Sequence, residues 1–346
     1  MPCICHTAGY CPYLKTQVSI EQHARCQSDT SWQENELNSR GIRYRVPTDG
    51  KSPADAGCIP CQSAAPPKPK PVSTLPPVDV SAIGPVVCNR DRRAATSLRD
   101  QFAGQRCFLL GGGPSLKSVD LKALQRPGIT VAAMNNVATM IRPDIWFCVD
   151  QPRNFHETIW RDPGVMKFTF DKHLPTCSVD AWNGKEFVHS GLRARDCPNV
   201  WGFAHRHGWD ANTFLTDHVP TWGVNSVDED PEKKSRHQSV MLPSLWLLYW
   251  LGFRVVYLLG CDFTIPPNWQ YAFDERMAPG NDTLLPWLNR RLTEVNPHFR
   301  EMGFTVLNCT DGGELTAFER LPLSAAIEAT LEGWPETIVT KGMYRG

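Results

Sequence analysis

The chain has 346 residues, 41% hydrophobic and 21% charged, and its 36 basic and 36 acidic side chains leave a formal net charge of zero. Such a composition belongs to folded globular proteins. It excludes a chain that finds nucleic acid or an acidic membrane by bulk charge. At roughly 150 residues per domain, the length corresponds to about two units.

Residues 1–61 hold six of the thirteen cysteines: Cys3, Cys5, Cys11, Cys26, Cys58 and Cys61. The opening MPCICHTAGYCPYLK lacks a basic segment followed by an apolar one, so no secretory signal peptide is predicted and a cytoplasmic location is expected. In a reducing compartment, clustered cysteines with a CxxC pair point to metal more than to disulfides. A small segment with little apolar periodicity needs a staple, and tetrahedral zinc takes four thiolate or imidazole donors. Cys3, Cys5, His6, Cys11, His23, Cys26, Cys58 and Cys61 are the candidates. The expected zinc set is Cys11, Cys26, Cys58 and Cys61, with disulfides or free thiols as the alternatives. The long gap from Cys26 to Cys58 departs from a standard finger spacing.

Residues 62–85, QSAAPPKPKPVSTLPPVDVSAIGP, carry many of the 29 prolines and read as a semi-rigid linker. The main domain is expected over 86–346. Within it, short apolar runs end on polar residues: 106–110 on Gly111-Gly112-Gly113, 129–134 on Asn135-Asn136, and 144–149 on Asp150. Further along, 254–259 ends on Gly260-Cys261-Asp262 and 304–307 on Asn308. Runs this short, separated by longer segments with helical patterns at 118–124 and 239–251, predict buried parallel strands in a doubly wound, Rossmann-like α/β sheet. Ligands of such sheets sit at the carboxyl ends of the strands, where these polar residues lie. The apolar stretch 240–263 is broken by Pro243, Gly252 and Arg254. Neither piece reaches the ~20 residues of a membrane span, so a buried helix followed by a buried strand is expected. Trp146, Trp246 and Trp250 fall within apolar runs and read as core.

The strongest local motif is Gly111-Gly112-Gly113-Pro114-Ser115-Leu116 after an apolar run. Glycines permit close backbone approach, and amides at a following helix start can receive phosphate. Pro114 suits a first helical turn. Without Gly-Lys-Ser/Thr this is not a P-loop, and Leu116 replaces the last glycine of GxGxxG; a tight turn with no ligand is the plain alternative. Asn135 and Asn136 could read a nucleoside or cap a helix. Asp262 could receive a ribose hydroxyl, bind metal or cap a turn. Asp228-Glu229-Asp230 looks like the acidic triplet of metal-dependent sugar transferases, yet sits in VDEDPEKKSRH, which reads as a solvated loop.

In their order along the chain, four anchors resemble two related bacterial groups. They are GGGPSL from Gly111, Asn135-Asn136, the helix–strand unit ending SVMLPSLWLLYWLGFRVVYLLGCDF, and YAFD from Tyr271, followed by VLNCTDGGELTAFERLPLSAAI from Val306. One group is the CMP-sialic-acid-dependent sialyltransferases, with a Rossmann-like fold. The other is the flagellin-glycosylation accessory and 6-hydroxymethylpterin diphosphokinase-like proteins. The likeness covers roughly residues 105–330.

The resemblance implies that Gly111, Gly112, Gly113 and Ser115 hold a donor phosphate and that Asn135 or Asn136 touches the nucleotide. It places Ser239, Asp262 and Phe263 around the nucleoside and gives the hydroxyl of Tyr271 the task of stabilising the leaving phosphate. There are departures. Gly112 stands where the sialyltransferases usually carry asparagine, Thr264 replaces a second tyrosine, and PGNDTL at 279–284 has no histidine for a general base. Asp282 is the substitute expected there, with His298 more distant. The implied activity is a nucleotide-dependent transferase, foremost a sialyltransferase-like glycosyltransferase with a nucleotide-sugar donor. A diphosphokinase moving pyrophosphate from ATP, with Mg²⁺, is second, and a non-catalytic nucleotide-binding adaptor with a zinc module is third. The acceptor is left open among glycan, protein and modified base.

Overall fold

The computed structural model describes residues 10–11, 16–17, 85–88, 98–176, 178–183, 185–223, 238–268, 270–273, 275, 277 and 280–334. The chain divides into two units, Met1–Val78 and Asp79–Gly346. In the first, the described residues form one antiparallel pairing of β1 (Tyr10–Cys11) with β2 (Thr16–Gln17). The expected zinc ligands Cys26, Cys58 and Cys61, and the side chain of Cys11, lie outside the described residues, as does Asp228-Glu229-Asp230. Among the described residues, no group of three or more His, Cys, Asp or Glu could hold a metal ion.

The second unit is a mixed α/β fold around a mostly parallel sheet. In chain order its strands are β3 (Val86–Cys88), β4 (Arg106–Leu110), β5 (Thr130–Met134), β6 (Ile145–Phe147), β7 (Met166–Phe170), β8 (Ser178–Trp182), β9 (Phe187–Arg193), β10 (Val200–Phe203), β11 (Val255–Leu259) and β12 (Thr305–Asn308). Helices are α1 (Glu157–Arg161), α2 (His173–Thr176), α3 (Met241–Trp250), α4 (Asn281–Glu301) and α5 (Leu323–Leu331). Eight strands form one sheet in the order β12-β11-β4-β5-β6-β7-β10-β3. Every neighbour pair is parallel except β10 with β3. β8 and β9 make a separate hairpin. This arrangement is compatible with the Rossmann-like sheet expected from the sequence.

Alternation explains why these runs are strands. In β4, Cys107 and Leu109 enter the core beneath α3 and α4, whereas Phe108 and Leu110 enter the core beneath α5 and the β8–β9 hairpin. Both faces are covered, which is why a parallel strand reads as a continuous apolar run. α3 is apolar all round and buried at every residue but Tyr249, as a helix sandwiched between layers must be. Among the described residues no helix is long and apolar enough to cross a membrane. Trp146, Trp246 and Trp250 are buried as the sequence predicts.

One expected helix is different. Residues 118–124 are not one helix; two 3₁₀ turns, Pro114–Ser118 and Leu121–Leu124, flank an extended Val119 (φ −85°, ψ 131°). Asp120 causes the break, because its carboxylate accepts from the amide of Lys122 at 3.1 Å and competes with helical pairing.

Candidate functional site

Strand order locates the site. From β4 the chain adds β5, β6, β7 and β10 to one side, then returns to place β11 on the other. The turns leaving β4 and β11 therefore diverge, and ligands of open α/β sheets bind at such a switch point. There the pairing continues past the strands: the amides of Gly111 and Gly113 donate to the carbonyls of Leu259 and Gly260, each at 2.7 Å.

This pairing gives the glycines a reason within the fold. A side chain at Gly113 would run into the carboxylate of Asp262 and lie 2.6 Å from the Gly260 carbonyl oxygen; one at Gly111 would lie 2.8 Å from that same oxygen. One at Gly112 would come within 2.8 Å of the Phe273 ring and 3.3 Å of Tyr271. The close approach is of protein to protein. Ser115 is likewise committed: its amide donates to Asp262 Oδ1 at 3.0 Å and its hydroxyl to Oδ2 at 2.7 Å. The anion that meets this turn's amino end in the structure is a side chain of the chain itself.

Over the turn lie Tyr271, Ala272 and Phe273, with Glu275 after them. The Ala272 amide donates to the Gly112 carbonyl at 2.9 Å, and Tyr271 stacks on Phe273 with ring centroids 5.1 Å apart. The Tyr271 hydroxyl accepts from Asn281 Nδ2, the first residue of α4, at 3.0 Å. Asn136 Nδ2 donates to Glu275 Oε2 at 2.6 Å. Asn136 thus ties down this segment instead of facing a nucleotide.

Between these parts is a cavity of about 320 Å³, within the usual range of ligand sites. Of the sequence-expected residues, Gly111, Gly112, Gly113, Asn135, Ser239, Asp262, Phe263 and Tyr271 line it, as does Thr264. Ser115, Asn136 and Asp282 are not among its lining residues. Asp282 is exposed in the first turn of α4. His298 stands 17 positions beyond Asn281 on that helix, roughly 26 Å along its axis. Neither reaches the cavity as a base. Asn135 takes a left-handed backbone (φ 47°), and its Oδ1 is buried with no hydrogen-bond partner among the described residues.

Asp150, Trp222 and Asn281 also line the cavity. The sequence placed Asp150 at the end of the 144–149 run, where ligands bind, but gave it no role; Trp222 and Asn281 carried no signal. The described lining contains no Lys, Arg or His. Desolvation raises the carboxyl groups of both Asp262, which is buried, and Asp150, which is exposed, above the usual aspartate range, in Asp262 against the lowering effect of the Ser115 bonds. Burial, followed by the neighbouring Asp262 charge, pushes the Cys261 thiol up to about 12, which removes it as a nucleophile at neutral pH.

Beyond Trp222 lies a second polar group at the ends of β7 and β10. Phe170 stacks on His205 (centroids 4.0 Å) and meets Trp222 edge-on at 4.8 Å. Burial, then the Lys172 charge, lowers both His173 and His205 to about 4. Compared with protein-family models, with curated proteins and with solved structures, the chain matches none.

Proposed function

We propose that the second unit is a nucleotide-dependent transferase, foremost a sialyltransferase-like glycosyltransferase using a nucleotide-sugar donor. The supporting observation is convergence: the Gly111–Gly113 turn, Asp262 with Phe263, and Tyr271 lie in separate parts of the chain, yet line one cavity at the switch point of the sheet. In this reading Ser239, Asp262 and Phe263 receive the nucleoside. The Tyr271 hydroxyl, held by Asn281, donates to the departing phosphate; a positioned donor in a water-poor cleft stabilises developing charge far better than it would in water. With no cationic side chain in the described lining, and with the amides of Gly111, Gly113 and Ser115 bonded within the chain, the Tyr271 hydroxyl carries that task.

A second reading has its own observation. Asp150 and Asp262 present two carboxylates to the same cavity, and Mg²⁺ is commonly held by one or two carboxylates plus substrate phosphates. Those residues would hold the ion of an ATP-dependent diphosphokinase, where it would neutralise phosphate charge. Mass spectrometry of the protein incubated with nucleotides and nucleotide sugars separates the two. Transfer or hydrolysis that persists in EDTA supports the glycosyltransferase; turnover of ATP abolished by EDTA supports the diphosphokinase; no turnover of any donor rejects both.

For the first unit we propose a zinc module held by Cys11, Cys26, Cys58 and Cys61, on the strength of the cysteine clustering. Elemental analysis is expected to find about one zinc per chain, lost on changing Cys58 and Cys61 to serine. Metal-free protein with paired cysteines rejects it.

A further inference from the structure

The expected base positions do not reach the cavity: Asp282 is exposed outside its lining, and His298 is at the far end of α4. A transferase that activates a hydroxyl acceptor still needs a group to take its proton. Two carboxylates line the cavity, and they differ in one decisive respect. Both oxygens of Asp262 accept from Ser115. The carboxylate of Asp150 has no hydrogen-bond or ion-pair partner among the described residues, while its backbone carbonyl accepts from Cys148 Sγ at 3.4 Å.

Position separates them as well. Asp262 follows β11, beside the glycine turn of β4, whereas Asp150 follows β6, two strands away from β4 in the other direction. At ~4.8 Å per strand that is about 10 Å, room for one sugar ring between the turn and the carboxylate. Past β6, the cavity wall is Trp222, and its neighbour His205, lowered to about 4 chiefly by burial, is a weak base.

We propose that Asp150 is the general base of the transfer reaction, taking the proton from the acceptor hydroxyl. The assignment rests on the transferase reading above. In the step, the acceptor O–H bond breaks and its proton passes to an Asp150 oxygen. The acceptor oxygen's electron pair forms the bond to the anomeric carbon of the donor. The bond from that carbon to the donor phosphate oxygen breaks, and its electrons leave on the phosphate. Asp150 is exposed to solvent, and partial desolvation raises its carboxyl above the ordinary aspartate value, so it is both open to an acceptor and more basic than usual.

The test compares wild type, Asp150→Asn and Asp150→Glu, with the nucleotide sugar turned over by the wild type as donor. Donor binding by calorimetry and thermal unfolding are expected to stay close to wild type in Asp150→Asn, with transfer falling at least a hundredfold. The wild-type rate should rise with pH through the titration of one carboxyl group, and that limb should vanish in Asp150→Asn and return in Asp150→Glu. The other titratable groups lining the cavity are Asp262, Tyr271 and Cys261, and a limb unchanged in Asp150→Asn belongs to one of them and overturns the assignment. Full transfer by Asp150→Asn overturns it too while leaving the transferase reading intact. A wild type that neither binds nor turns over any nucleotide overturns both.

Discussion

Asp262 accepts both the amide and the hydroxyl of Ser115, at 3.0 and 2.7 Å, across a separation of 147 residues. This clasp joins the turn after β4 to the turn after β11, and Asp262 is itself held from behind, its carbonyl accepting from the Glu314 amide at 2.7 Å. Hydrogen bonds to a charged group contribute about 1.5–3 kcal/mol, and a buried donor left unpaired costs about 1–3 kcal/mol. Asp262→Ala should therefore lower unfolding free energy by about 2–4 kcal/mol, and Ser115→Ala by about 1 kcal/mol. Urea unfolding of the two single variants and the double variant should show a coupling of at least about 0.5 kcal/mol, because the bonds share one carboxylate. Additive losses would dissolve the clasp.

Gly113 has the least room of the three turn glycines. Gly113→Ala drives a methyl group into the Asp262 carboxylate and the Gly260 backbone, groups that cannot swing aside, and should destabilise the unit by more than about 3 kcal/mol. Gly112→Ala meets two aromatic rings. It should cost less, yet shift the fluorescence of Tyr271-side ligand binding or weaken donor affinity. Equal melting temperatures for the two variants would contradict this ordering.

Acid should weaken the fold through His173 and His205. Both have folded values near 4 against an ordinary value of 6.5, lowered chiefly by burial. Between those values the unfolded chain binds more protons than the folded one, so stability falls as pH falls from about 6.5 to 4. Proton uptake on unfolding should exceed one at pH 5. Changing both residues to phenylalanine should flatten stability against pH over that window. A double variant with the wild-type slope would place the acid sensitivity elsewhere.

Tyr271→Phe removes a hydroxyl and keeps the ring that stacks on Phe273. If that hydroxyl meets the leaving phosphate, kcat should fall ten- to a thousandfold, the scale of losing one oxyanion donor. Donor affinity should change little, since the lost interaction belongs mainly to the transition state. Steady-state kinetics beside calorimetry check both halves; unchanged kcat would take Tyr271 out of the mechanism.

Five strands were legible because their runs are apolar on both faces. β7 and β10 were not. The β7 segment MKFTF buries Lys167 and Thr169 completely, and the lysine is tolerated only because its amine donates to the carbonyls of Asp162 and Val165. In β10 the missing side chain of Gly202 makes room for Leu174 and Asp171; a glycine in a short run reads as a break. α4 was hidden by Pro286 and Pro297 inside it. At the site, local spacing marked the glycine turn and Asp262 separately, but not that they meet, since side-chain pairing across 147 residues leaves no local pattern. The emptiness of Asp150's carboxylate and the occupation of Asp262's are tertiary facts of the same kind.

The place of β4 between β5 and β11 has a consequence for synthesis. When the ribosome has delivered β4 through β10, β4 is an apolar edge with no neighbour on one side, and its partner β11 is still untranslated. Such an open edge is a template for the wrong strand. The nascent chain must remain in this unfinished state for the time taken to add the 51 residues between Phe203 and Val255. Truncated products ending before β11 should therefore aggregate through that edge, and chaperone demand should be greatest in that interval and fall once α3 and β11 have emerged.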